Sequence, residues 1–116
     1  MRFLVAVKAN KDSEAGVLPD AKSLTEMTKF NEELVKAGVM LAGEGLQPSS
    51  KGVRVKFGPG NKKTVIDGPF AETKEQLAGF YLIDARDLNE AIQIASKIPP
   101  AREGSIEVRP IRELDV

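Results

Sequence analysis

The sequence predicts an α+β domain, and three observations carry the prediction. Segments rich in β-branched and aromatic residues, such as Phe3-Leu4-Val5-Ala6-Val7 and Phe80-Tyr81-Leu82-Ile83, have strand character. Longer stretches at residues 20–37 and 88–98 place apolar side chains at helical spacing. The segments run strand, helix, strand, hairpin, strand, helix, strand. The 116 residues fit one domain spanning 1–116, and 41% hydrophobic content is enough to build its core.

Arg2 to Lys8 is the first strand. Phe3, Val5 and Val7 alternate onto one face and Leu4 and Ala6 onto the other, so both faces are apolar. Asn10 to Pro19 is polar and contains Gly16, which predicts a loop. A helix from Asp20 to Ala37 follows, with Leu24, Met27, Phe30, Leu34 and Ala37 as its apolar stripe. Either Asp20 caps it or Ser23 forms a capping box with Glu26. Gly38 supplies the stop.

Met40 to Leu46 reads as a strand weakened by Gly43 and Gly45. Alternation places Glu44 on one face with Met40, Ala42 and Leu46. Val53 to Phe57 alternates with Val53, Val55 and Phe57 on one face. The turn Gly58-Pro59-Gly60-Asn61 joins it to Lys63–Asp67 as a hairpin. Gln76 to Asp84 is a strand apolar on both faces, Leu77, Tyr81 and Ile83 against Ala78, Phe80 and Leu82. Asp87 and Glu90 cap a helix over Leu88–Ile98 with Leu88, Ala91, Ile92, Ala95 and Ile98 inward, and Pro99-Pro100 ends it. Ser105 to Pro110 is the last strand. This is a βαββαβ pattern with an added hairpin, the plan of ferredoxin-like folds.

Two helices cover only one face of a sheet, yet the strands at 2–8 and 76–84 are apolar on both. A second copy, sheet against sheet, covers the other face, which predicts a homodimer.

Composition removes several function classes. Lys plus Arg and Asp plus Glu each number 17, so no net field favours nucleic acid or an anionic membrane. The absence of cysteine excludes disulfides, thiolate metal sites and thiol nucleophiles. The absence of histidine removes the side chain best suited to proton transfer near neutrality. No apolar run approaches the ~18–20 residues that span a bilayer. Met1 to Lys8 reads as a strand rather than a signal peptide, so a cytoplasmic protein is expected. Carboxylates alone suit magnesium or calcium, but EF-hand spacing is missing, and neither metal nor cofactor is expected.

The most distinctive segment is Asp67-Gly68-Pro69-Phe70-Ala71-Glu72-Thr73-Lys74-Glu75. As turn chemistry, Asp accepts backbone hydrogen bonds, Gly frees φ and Pro directs the exit. As a site, it sets carboxylates and a lysine beside a buried strand, where burial shifts a carboxylate pKa. Glu44 on an apolar face needs a partner, either a structural cation or a ligand. Gly43-Glu44-Gly45 lacks the third glycine and following helix of a dinucleotide loop, and Gly58-Pro59-Gly60-Asn61-Lys62-Lys63 lacks a P-loop ending. Ser49-Ser50-Lys51 sits in a loop with adjacent residues pointing apart.

Val65-Ile66-Asp67-Gly68-Pro69-Phe70-Ala71-Glu72-Thr73-Lys74-Glu75 resembles the signature of the DGPF branch of YCII-related domains. Gly79-Phe80-Tyr81, Ile106-Glu107-Val108-Arg109-Pro110 and the stretch from Asn31 to Leu46 resemble further parts of that family. The resemblance implies a ferredoxin-like, dimeric α+β barrel. It carries no mechanism over, because the His–Asp pair proposed for related proteins needs a histidine that this chain lacks. DGPF members often accompany sigma factors, which implies a regulatory context.

Three functions follow as expectations. The first is a homodimeric module that binds a small molecule through Glu44, Asp67, Pro69, Phe70, Glu72 and Arg109. The second is an isomerase or hydrolase using Asp67 or Glu72 as base with Tyr81 or a lysine as acid. The third is a partner of a sigma factor.

Overall fold

The computed structural model describes residues 1–72, 75–99 and 104–113; Thr73, Lys74 and Pro100 lie outside them. Strands β1 (Arg2–Lys8), β2 (Met40–Gly45), β5 (Leu77–Asp84) and β6 (Ile106–Pro110) form an antiparallel sheet in the order β2-β5-β1-β6. Strands β3 (Val53–Phe57) and β4 (Lys63–Asp67) pair only with each other, in the register Val55 opposite Val65. Helices α2 (Ala21–Lys36) and α3 (Leu88–Ala95) lie on one face of the sheet.

The loop expected at 10–19 contains a short helix, α1 (Lys11–Glu14). Asn10 Oδ1 accepts from Ser13 N and Ser13 Oγ accepts from Asn10 N, each at 2.9 Å, a reciprocal cap that nucleates one turn. Asp20 caps α2, its Oδ1 accepting from Ser23 N at 2.8 Å, so Ser23 donates its N–H rather than acting as the cap. Gly38, at φ 71°, closes the same helix, with Val39 N donating to Leu34 O.

Asp87 caps α3 through Glu90 N, while Glu90 reaches Arg86 N. The helix stops at Ala95 rather than Ile98. Ser96 Oγ donates to the Ile92 carbonyl at 2.6 Å, and Ile98 N then donates to Ala95 O in a tighter turn.

Phe3, Val5, Tyr81 and Ile83 point from the sheet into the helix layer and are buried with Leu34, Ala91, Ala95 and Ile98. Burial of side chains the size of Phe3 and Ile83 contributes about 1.5–3 kcal/mol each. The expected helical stripes are displaced at their edges: Leu24, Ala37, Leu88 and Ile92 are exposed, and Ile94 packs on the core instead.

A bulge between Met40 and Ala42 corrects the expected alternation of β2. Met40 stands opposite Ile83 and packs on the core, while Ala42 and Glu44 stand opposite Leu82 and Phe80 on the other face. The extra residue, Leu41, reverses the facing of everything after it. On that other face of the sheet Ala6 is buried, and Leu4, Phe80 and Leu82 are half-buried rather than fully enclosed.

The molecule measures 47 × 44 × 19 Å, and 19 Å is the depth of one sheet and one layer of helices. Its radius of gyration is 16.2 Å, against about 13 Å for a compact chain of similar length.

Candidate functional site

Glycines create the main cleft. On the helix side of the sheet Gly45 stands directly opposite Gly79, and Gly43 stands opposite Tyr81. Met40 Cε reaches over Gly43, but no side chain stands over Gly45 or Gly79, and a cleft of about 940 Å³ opens between the sheet and the helices. Met27 and Asn31 of α2, Ala95 of α3, and Ile106 and Val108 of β6 complete its walls. The residues that weakened β2 as a strand are those that give the protein its cavity.

Two of these glycines also allow close packing. A Cβ at Gly79 would lie 2.9 Å from the Glu44 carbonyl oxygen, and one at Gly43 would lie 2.5 Å from Met40 Cε. Gly45 is different, because a Cβ there meets nothing within 4 Å and φ is not in the left-handed region. Gly45→Val is therefore expected to narrow the cleft at its floor and raise stability by about 0.5–1 kcal/mol, since glycine weakens a strand. Urea unfolding measures the gain.

The polar end of the cleft is built around Tyr81. Its hydroxyl donates to Asn31 Oδ1 at 2.8 Å, linking β5 to α2. Burial pushes the phenol pKa up, and the Asn31 hydrogen bond opposes part of that shift. The ring is thus a neutral hydrogen-bonding group at neutral pH. A raised folded-state pKa stabilises the fold at pH below the ordinary phenol value of ~10 and loses that contribution as pH rises through the folded value. Tyr81 is the chain's one tyrosine, so tyrosinate absorbance reports it alone. Its midpoint is expected above ~10, and Tyr81→Phe removes this part of the pH dependence of stability.

The expected site residues divide into separate groups. Tyr81 lines the cleft with its side chain and Glu44 borders it through its backbone, its side chain standing beside Phe80 on the other face of the sheet, whereas Asp67, Pro69, Phe70, Glu72 and Arg109 do not line it. The Asp67 side chain is exposed at the end of β4 and makes no hydrogen bond or ion pair among the described residues. Glu72 is exposed, and its carbonyl accepts from Glu75 N. Arg109 pairs with Glu107 at 3.3 Å on the face away from the helices.

The loop after β4 is fastened chiefly by backbone groups. Ser49, in a 3₁₀ turn over Ser49–Lys51, gives its Oγ as acceptor to Phe70 N at 3.1 Å. Glu14 of α1 accepts from both Ser49 N and Ser49 Oγ. Gly68 N donates to Gly52 O at 3.0 Å, the Gly68–Pro69 peptide is cis, and Gln76 Nε2 donates to Phe70 O at 2.7 Å. Arg54 lies over the Phe70 ring, 4.1 Å from its centre. Ser49 thus acts as a tie between the loop and α1. Sequence reasoning missed it, since contact with Glu14 crosses 35 positions.

Among the described residues no group of three or more acidic, histidine or cysteine side chains is placed to hold a metal, and no helix is long and apolar enough to cross a membrane. What the fold and cleft define is a small α+β protein with a largely apolar pocket between its two layers. The chain matches the YCII-related domain over residues 1–115 and belongs to that family. It is also similar to an uncharacterized protein of Rhizobium meliloti (strain 1021), with 38% identity over 94 residues, covering 79% of this chain and 75% of that relative.

Proposed function

We propose that this YCII-related protein is a homodimeric small-molecule-binding module whose ligand occupies the glycine-floored cleft. The cleft itself carries the reading. It has the size of a ligand pocket, apolar walls, and two convergent polar groups at Tyr81 and Asn31. Among the described residues Lys8 is the one cation on its lining, and it is engaged with Glu107 at 3.5 Å, so the pocket favours an uncharged ligand over a phosphorylated one.

The segment at Asp67 supports placement in the DGPF branch. The strand order β2-β5-β1-β6 supports a ferredoxin-like plan, and the half-covered second face supports a dimeric barrel. In this reading the Asp67 loop frames the protein rather than touching the ligand. Acid–base catalysis by Asp67 or Glu72 with Tyr81 is less favoured, because only Tyr81 lines the cleft.

Nile red, an uncharged apolar dye, serves as the probe. The wild type is expected to bind it with a change in Tyr81 fluorescence, undisturbed by tryptophan because the chain has none. Gly45→Val is expected to weaken that binding while remaining folded. Equal binding by both proteins would remove the cleft from consideration.

A further inference from the structure

One pair of polar side chains in the cleft wall is only half used. Tyr81 Oη donates to Asn31 Oδ1 at 2.8 Å, which spends the phenol's proton. Among the described residues nothing donates to Tyr81 Oη and nothing accepts from Asn31 Nδ2. The pair therefore offers the lone pairs of the phenol as acceptor and the two N–H groups of the amide as donors. Other polar side chains on the lining bond within the protein. Lys8 faces Glu107, Asn10 and Ser13 cap α1 together, and Ser96 Oγ donates to Ile92 O.

The surroundings make these open valences matter. Tyr81 is only 8% exposed, and Met27, Ile92, Ile106 and Val108 give the same cleft apolar wall. A ligand that covered the pair without bonding to it would leave buried polar groups unsatisfied.

We infer that the cleft takes a mostly hydrocarbon molecule bearing a hydroxyl, whose oxygen accepts from Asn31 Nδ2 and whose proton goes to Tyr81 Oη. The inference rests on the reading of the cleft as a ligand pocket and names the class of ligand. A hydroxyl both accepts and donates, so it meets both halves of the pair. A ketone accepts from Asn31 but leaves Tyr81 Oη without a donor. An ionised carboxylate has the same defect, and an ammonium has no lone pair for Asn31. A site built to bond a hydroxyl turns away the analogue that lacks it.

Menthol, menthone and p-menthane test this. They share one carbon skeleton and differ at a single position, which carries a hydroxyl, a carbonyl or no oxygen. Each is titrated against Nile red bound to the wild type. Menthol is expected to displace the dye at a concentration about fivefold below menthone and about thirtyfold below p-menthane, the effects of one and of two hydrogen bonds. Tyr81→Phe with Asn31→Leu replaces both partners by apolar side chains of similar size, an exchange that costs little stability. Unchanged circular dichroism shows that this variant folds, and in it the preference for menthol is expected to vanish. The wild-type order decides by itself where the variant is unstable. Equal displacement by all three, displacement by none, a preference for menthone, or a menthol preference retained in the double variant overturns the hydroxyl class and leaves the cleft reading intact. A wild type that does not bind Nile red overturns both.

Discussion

Gly68→Ala is expected to destabilise the protein by about 3 kcal/mol, at the upper end of what overpacking costs, and to lower its melting temperature by about 10 °C. A Cβ on Gly68 would lie 1.8 Å from the Ser49 carbonyl oxygen and 2.6 Å from its carbon. Both obstructing atoms are backbone, so no rotamer change relieves the clash. The turn at Ser49 must move, and with it the bonds to Phe70 N and Glu14. Gly52→Ala is the control, since its new Cβ finds its nearest neighbour at 3.7 Å, an ordinary contact. Thermal melts of the two variants measure the difference; similar melts would show that the loop does not pack on Ser49.

Phe3→Ala should have a comparable or larger effect, about 3–5 kcal/mol. Phe3 is 1% exposed and sits between Ile83 on β5 and Pro110 on β6 in the register of the sheet. Removing its ring leaves a cavity that the paired backbone around it resists closing. Since a domain is stable by only ~5–15 kcal/mol, the urea midpoint should fall by a large fraction. Phe57 provides the contrast. It is 77% exposed, and truncation there should change the stability of the isolated chain by no more than about 0.5 kcal/mol. The same residue type thus has very different weights at the two positions.

Much of the architecture was legible because its causes are local. The hairpin follows from alternation on both sides of Gly58-Pro59-Gly60-Asn61, and Asp20, Gly38 and Asp87 mark helix ends by the chemistry of their own positions. The cap of α1 was missed: Asn10 followed by Ser13 carries the signal, but the polar composition around it reads more readily as loop. The bulge at Leu41 was not legible, since it depends on how β2 meets β5. The site divides in the same way. Asp67-Gly68-Pro69-Phe70 stands out in the sequence because its composition is unusual, yet its partners Ser49, Gly52 and Gln76 are supplied by the fold. Gly43, Gly45 and Gly79 carry no chemistry of their own. Their role emerges only when the strands that bear them are placed side by side.

The floor formed by those glycines has a consequence for how the pocket can change. At Gly45 and Gly79 its volume is set by hydrogen atoms where side chains would stand. At Gly45, where a Cβ has free space, a single nucleotide change from a glycine codon yields alanine or valine. Alanine removes room by one methyl group and valine by an isopropyl group. Gly79, held against the Glu44 carbonyl, has no comparable freedom. Ligand size is therefore open to gradual tuning from the β2 side of the cleft and closed to it from the β5 side.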